Sequence, residues 1–328
     1  MLKILVIGAG AFGTALANTL AKENKDVTLW VPNKNQRKEI GSKHVNNKYL
    51  PGIKLSERLI TTENLKSVSK FADIILLSIP AQKTRVFLSE NKDAFSEKTT
   101  FVLCGKGIDA KNLQLQSDLL LSVLPQQDFA VLSGPGFATE IAEGLPTALI
   151  IAHLKIETAK ILQKNLSTLT LRLYASNDPY GVQLGGSLKN IIAIACGISE
   201  GLGLGESART SLMIRGFSEI CNFAVKLGAQ KKTLFGLSGF GDLSLTCNST
   251  KSRNFLLGKS IVQKNISEKF NLNSKTIEGV RTAEAVLKLS KKLKVEMPIV
   301  EAISQIIKGK IEPNDAVQLL LSRPLKIE

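Results

Sequence analysis

The stretch Leu2-Lys3-Ile4-Leu5-Val6-Ile7-Gly8-Ala9-Gly10-Ala11-Phe12-Gly13-Thr14-Ala15-Leu16-Ala17-Asn18-Thr19-Leu20 decides how this chain folds. Its first six residues form a short apolar, β-prone run, the pattern of a strand buried on both faces of a parallel sheet. The run stops in G-x-G-x-x-G at Gly8, Gly10 and Gly13, and a helix-like segment follows. Each glycine has its own task. Gly8 permits the tight turn, Gly10 lets the backbone approach a pyrophosphate, and Gly13 lets the helix pack closely on the strand. The helix N-terminal amides and macrodipole then hold the diphosphate. Val27-Thr28-Leu29-Trp30-Val31 supplies a second strand, and within such a βαβ unit the glycine pattern indicates dinucleotide binding.

A site that prefers NAD usually carries Asp or Glu about 20 residues further on, at the end of the second strand. This chain has Pro32-Asn33-Lys34 there. With no acid to repel a 2′-phosphate, and with Lys34, Arg37 and Lys38 close by, NADP is favoured over NAD as the cofactor. The same side chains also suit a solvated helix face.

Further strand-like runs follow at spacings that leave room for helices: 73–79, 100–104, 129–133, 148–151 and 170–174. Their alternation with helices predicts a doubly wound sheet. Pro80, Gly105 and Gly134 end three of the runs and place loops at the carboxyl ends of strands, the edge at which open α/β sheets bind ligands. After Asn177-Asp178-Pro179 the pattern changes to helical spacing, with apolar stripes through 188–195, 211–227, 280–293 and 298–307. The expected fold class is therefore α/β, an N-terminal doubly wound (Rossmann-type) sheet domain over 1–179 followed by an all-helical C-terminal domain over 180–328. Gly201-Leu202-Gly203-Leu204-Gly205 reads as a flexible loop between helices.

Composition narrows the function. The chain has 328 residues, a formal charge of +15 and 44% hydrophobic residues, which excludes collagen-like, coiled-coil and disordered classes. The positive charge is dispersed, and the densest basic stretches, 34–38 and 288–294, lack interleaved aromatics, so no nucleic-acid partner is expected. Cys104, Cys196, Cys221 and Cys247 are widely spaced and read as free thiols in a reducing cytosol. Only His44 and His153 are present, which excludes a multi-histidine metal centre and leaves Lys, Asp or Glu as general base. Residues 4–21 are uncharged, but glycines, threonines and Asn18 interrupt them and only Lys3 precedes them. They read as neither a signal peptide nor an anchor. No later stretch approaches the roughly 18 strongly apolar residues of a spanning helix, so a cytoplasmic protein without stable membrane insertion is expected.

Two places carry chemistry. Lys189 flanks the Leu188/Ile192 face of a helix, where burial would lower its pKa and fit it to exchange a proton with a substrate hydroxyl; a surface lysine is the plain alternative. Gly239-Phe240-Gly241-Asp242-Leu243 and Ser252-Arg253-Asn254 form a second polar cluster. Arg253 offers a bidentate fork for phosphate at a helix start, and a helix cap with a turn aspartate explains the cluster equally well.

GAGAFGTALA, the NKYLPG turn at 47–52, CGKGI around Lys106, SGPGFA at 133–138, GGSLKNIIAIACGI around Lys189, GLSGFGDLSLTC around Asp242 and SRN at 252–254 occur in this order. Together they resemble bacterial NAD(P)-dependent glycerol-3-phosphate dehydrogenase, from residue 4 to about residue 285. The resemblance implies reversible reduction of dihydroxyacetone phosphate to sn-glycerol 3-phosphate for glycerophospholipid synthesis, with NADP or NAD as cofactor. It implies that Lys189 is catalytic, that Asp242 binds substrate and orients Lys189, and that Lys106, Gly134, Gly136, Ser252, Arg253 and Asn254 bind substrate. Cofactor positions would be Gly8, Gly10, Ala11, Phe12, Gly13, Asn33, Tyr49, Lys106, Ala138, Arg253, Thr276 and Glu278. No metal is implied, the partner is a small phosphorylated triose or glycerol, and a homodimer fits a superfamily in which dimers are common. Two positions depart from the family pattern: Gly136 stands where Ser or Thr is usual, and Ser207-Ala208-Arg209 replaces Asn-x-Lys. The competing readings are another small hydroxy-acid dehydrogenase on the same plan and a non-catalytic dinucleotide sensor.

Overall fold

The structure is a computed structural model that describes residues 2–23, 25–263 and 277–324. Strands β1 (Lys3–Ile7), β2 (Asp26–Trp30), β3 (Val45–Asn46), β4 (Leu50–Lys54), β5 (Ile60–Thr62), β6 (Ile74–Leu77), β7 (Thr100–Leu103), β8 (Asp128–Ser133), β9 (Thr147–Ala152) and β10 (Leu171–Ser176) alternate with helices in the first half. The helices there are α1 (Ala11–Lys22), α2 (Lys34–Lys43), α3 (Leu65–Ser69), α4 (Thr84–Glu90), α5 (Gln116–Val123), α6 (Ala138–Glu143) and α7 (Ile156–Leu166). Helices alone follow: α8 (Pro179–Gly201), α9 (Gly205–Lys226), α10 (Lys231–Leu234), α11 (Asp242–Cys247), α12 (Arg253–Val262), α13 (Glu278–Leu293), α14 (Pro298–Ile307) and α15 (Pro313–Leu321).

The chain forms two compact units, one of residues up to Gly105 with Gln114–Gln183, the other of Lys106–Leu113 with the residues from Leu184 on. The first holds an eight-stranded sheet in the order β10-β9-β8-β7-β6-β1-β2-β5, with the hairpin β3-β4 beside it. All neighbours are parallel except β8 and β9. Period-two alternation splits each buried strand between two cores: Ile4 and Val6 pack with Leu16, Leu20 and Leu29 on one face, Leu5 and Ile7 with Ile75, Leu77 and Phe101 on the other. From β1 the chain moves outward to β2 and β5, then returns to add β6 on the opposite side of β1. The glycine loop after β1 therefore lies at the switch point where open sheets bind ligands.

In the second unit α8 is the axis, buried at every position over 181–199. Contrary to the sequence expectation, it is long and apolar enough to cross a membrane, with a mean hydropathy of 1.3, yet its apolar window is 100% buried inside the protein. The 201–205 loop is the short turn from α8 to α9, with Gly203 and Gly205 at φ 68° and 85°. Glu219 of α9 accepts the amides of Ile299 and Val300 at 2.8 and 3.3 Å and so caps α14. Burial pushes its carboxyl up to about 7, against the pull of those two amides.

α12 crosses α8 backbone to backbone. A Cβ on Gly197 would stand 2.0 Å from the Phe255 carbonyl oxygen, and one on Gly258 would stand 2.1 Å from that of Ile194. Only hydrogen fits, and this contact fixes where α12 begins. Gly197→Ala should force the helices apart and cost about 2 kcal/mol, seen as a fall of about 5 °C in the thermal midpoint. An unchanged midpoint in scanning calorimetry would contradict the crossing.

Candidate active site

At the glycine loop, Gly8 has φ +117°, and a Cβ there would meet the Ser78 carbonyl oxygen at 2.3 Å. A Cβ on Gly13 would meet the Gly8 oxygen at 2.0 Å, whereas one on Gly10 would meet nothing within 4 Å. Two glycines are therefore required by the protein itself, while the space above the third is open. Gly10 caps α1 without a side-chain bond, and the N-terminal turn of a helix is the end that receives anionic ligands. The open space over Gly10 at a helix start suits a dinucleotide diphosphate. Asn33 caps α2 by accepting the Gln36 amide at 2.9 Å, and Tyr49 is exposed with Lys48 over its ring.

Gly134 has φ +146°, and a Cβ there would stand 3.0 Å from Leu149 Cα. At Gly136 a Cβ would meet Thr147 Cγ2 at 3.0 Å and Ile141 Cδ1 at 3.1 Å. The Thr147 methyl thus takes up the room that Ser or Thr would need, which accounts for the glycine at this position. Ala138 opens α6.

The second unit brings Lys106, Lys189 and Asp242 together. Asp242 begins α11 directly after the π-helical turn Leu237–Gly241, and its side chain is 1% exposed. Lys189 Nζ donates to Asp242 Oδ1 at 2.5 Å and Lys106 Nζ to Oδ2 at 2.7 Å. Asp242 is therefore a buried counter-ion rather than a turn aspartate. Lys189 Nζ also donates to Thr246 Oγ1 at 2.7 Å, and that hydroxyl donates to the Asp242 carbonyl at 2.6 Å. Burial lowers the Lys189 pKa from 10.5 to about 8; Asp242 opposes the fall and the Lys106 charge adds to it. An ammonium has three N–H donors, and these two bonds leave one for a substrate oxygen.

Ser252, Arg253 and Asn254 start α12. Ser252 is buried and caps the helix, accepting the Phe255 amide at 3.2 Å. Asn254 Nδ2 donates to Asn190 Oδ1 at 3.0 Å, and its own Oδ1 accepts the Gly279 amide at 3.3 Å. The cap reading therefore holds for Ser252, and Asn254 ties α12 to α8 and to the start of α13, where Glu278 stands. Arg253 alone of the three is exposed, and it makes no ion pair among the described residues. Thr276 lies outside the described residues. At the other departure from the family pattern, Arg209 pairs with Glu200 and reaches Glu206 at 3.9 Å. The sequence reading missed Thr246 and Asn190; the one is four residues after Asp242, a single turn along α11, and the other adjoins Lys189.

NAD-dependent glycerol-3-phosphate dehydrogenase matches the chain over both of its parts, the N-terminal part on residues 3–159 and the C-terminal part on 178–318. The chain belongs to this family. A glycerol-3-phosphate dehydrogenase (NAD(P)+) of Ruegeria sp. strain TM1040 is 45% identical over 100% of both chains, and that of Parvibaculum lavamentivorans is 42% identical over 99% of this chain and 98% of its own. The crystal structure of glycerol-3-phosphate dehydrogenase from Coxiella burnetii superposes with a TM-score of 0.89 at 36% identity, covering 98% of this chain and 99% of the other. The enzyme class is thereby an oxidoreductase that uses NAD(P).

The glycine geometry separates binding from stability. Gly10→Ala should weaken coenzyme binding at least about tenfold while leaving the thermal midpoint within about 2 °C, because its Cβ enters open space at an ordinary φ. Gly13→Ala should lower the midpoint. Calorimetric titration and thermal unfolding of both variants check this, and equal destabilisation would contradict it.

Proposed function

We propose that the enzyme interconverts dihydroxyacetone phosphate and sn-glycerol 3-phosphate, supplying glycerophospholipid synthesis, with Lys189 as the proton-exchanging residue. The observation that carries this reading is the buried Lys189 ammonium, held by Asp242 and Thr246 and lowered to about 8. Bound coenzyme supplies the hydride for C2 in reduction and receives it in oxidation. In reduction the ammonium donates its remaining proton to the C2 oxygen as that oxygen gains negative charge. In oxidation the neutral amine takes the C2 hydroxyl proton.

Asp242 holds Lys189 and Lys106 at fixed positions, one on each carboxylate oxygen. Lys106 adds positive charge for the anionic substrate, and Arg253 at the start of α12 offers its fork to the phosphate. Gly134 and Gly136 contribute backbone, and Ser252 and Asn254 act by fixing the helix start that carries Arg253. On the coenzyme side we assign Gly8, Gly10, Ala11, Phe12, Gly13, Asn33, Tyr49, Lys106, Ala138, Arg253, Thr276 and Glu278, with NADP preferred over NAD. We place the enzyme in the cytoplasm, in keeping with its four free, buried thiols, and assign it a homodimeric state.

NADPH oxidation should proceed with dihydroxyacetone phosphate and fail with unphosphorylated dihydroxyacetone; equal rates would refute the substrate assignment. Lys189→Ala should reduce kcat at least about 10²-fold with coenzyme binding retained, and near-normal turnover would remove its role. Arg253→Lys should raise KM for the phosphorylated substrate about tenfold with coenzyme affinity little changed, and equal losses on both would sink the phosphate assignment.

A further inference from the structure

We propose that Glu63, paired with Arg37 beside the end of β2, sets the choice of coenzyme: it accepts the adenosine-ribose hydroxyls of NAD(H) and releases Arg37 to the 2′-phosphate of NADP(H). The proposal rests on the dinucleotide reading of the glycine loop and deepens the assigned preference for NADP.

In sheets of this kind an acid at the end of the second strand receives the ribose hydroxyls. β2 ends at Trp30, and Val31-Pro32-Asn33 follow without one. The neighbouring strand supplies it. β5 runs parallel to β2 with Trp30 opposite Thr62, and the Val31 amide donates to the Thr62 carbonyl at 2.8 Å. Glu63 follows Thr62 and so stands level with Val31, about 4.8 Å away across one strand spacing. Trp30 Nε1 donates to the Glu63 carbonyl at 2.9 Å and pins its backbone. The carboxylate is thus displaced by one strand, not lost.

Arg37 lies between the two strand ends. From α2 its Nη1 donates to the Val31 carbonyl at 3.2 Å, and its Nη2 meets Glu63 Oε2 at 2.6 Å. One residue earlier, Gln36 Nε2 donates to the Ala9 carbonyl at 2.6 Å, tying this turn of α2 to the glycine loop. Arg37 is therefore anchored next to the segment that receives the diphosphate, whereas Lys34 and Lys38 are exposed on the same helix.

The two partners differ in freedom. The Arg37 side chain is 20% exposed and the Glu63 side chain 65%. An ion pair with one solvated member is weak, and a phosphate takes a guanidinium fork bidentately with greater charge. The 2′-phosphate therefore displaces Glu63, which swings into solvent while Arg37 stays. With no 2′-phosphate, Glu63 remains on Arg37 and presents carboxylate oxygen to the ribose hydroxyls. One pair serves both coenzymes, at the cost of some affinity for each.

The test uses the whole enzyme and two coenzyme fragments, 2′,5′-ADP and 5′-AMP, titrated by calorimetry or through the fluorescence of Trp30, the only tryptophan. Glu63→Gln should tighten 2′,5′-ADP and weaken 5′-AMP, each about fivefold, with KM for NADPH and NADH moving in the same opposite directions. Arg37→Gln should weaken 2′,5′-ADP at least about tenfold and leave 5′-AMP within about twofold. If Glu63→Gln moves both fragments equally, or neither, the role of Glu63 is overturned. An effect of Arg37→Gln beside an inert Glu63→Gln would leave the NADP preference standing. Failure of Arg37→Gln to weaken 2′,5′-ADP would remove that preference too.

Discussion

The Asp242 carboxylate, buried between the ammonium groups of Lys106 and Lys189, is the constraint on which the second unit and the proposed chemistry depend. A lysine taken out of water loses its proton readily, and without a counter-ion Lys189 would be neutral well below the pH at which a proton donor is needed. Asp242 restores part of that charge and Lys106 removes part of it, so Lys189 settles near 8. The same carboxylate fixes two lysines from distant parts of the chain. Removing one partner of such a buried pair typically costs about 3–5 kcal/mol, so structure and chemistry rest on one group.

The fold around it follows from where backbone has to approach backbone. Gly197 and Gly258 let α12 lie against α8, which carries Lys189, and that contact sets where Ser252, Arg253 and Asn254 begin the helix. In the sheet unit Gly8 and Gly13 do the same for β1 and α1, leaving the space over Gly10 open. In each unit glycines let backbone pack directly against backbone.

Much of this was legible in the sequence because the signals are local. The glycine spacing, the apolar runs of β1, β6 and β8, and the change to helical periodicity near residue 179 each report on neighbouring residues. The short β3, β4 and β5 were missed, since two- to five-residue strands with Pro51 and Gly52 among them carry little pattern. Missing β5 hid Glu63. The membership of Lys106–Leu113 in the helical unit was equally hidden, because nothing local distinguishes a segment that leaves the sheet unit and returns. Lys189 and Asp242 could be named from the resemblance, but their pairing spans 53 residues and needed the fold. The apolar character of α8 was underestimated because its glycines and Lys189 break up the hydrophobic run that its length and complete burial make evident.

The most direct test of the Lys189–Asp242 account is the pH dependence of kcat/KM in both directions, for the wild-type enzyme and Asp242→Asn. With Lys189 in the proposed role, reduction needs the ammonium and oxidation the neutral amine, so reduction should fall and oxidation should rise as pH increases through about 8. Asp242 raises the Lys189 pKa, so the asparagine variant should move both inflections to lower pH. Profiles that are flat through this range, or inflections that stay in place when Asp242 loses its charge, would contradict the account.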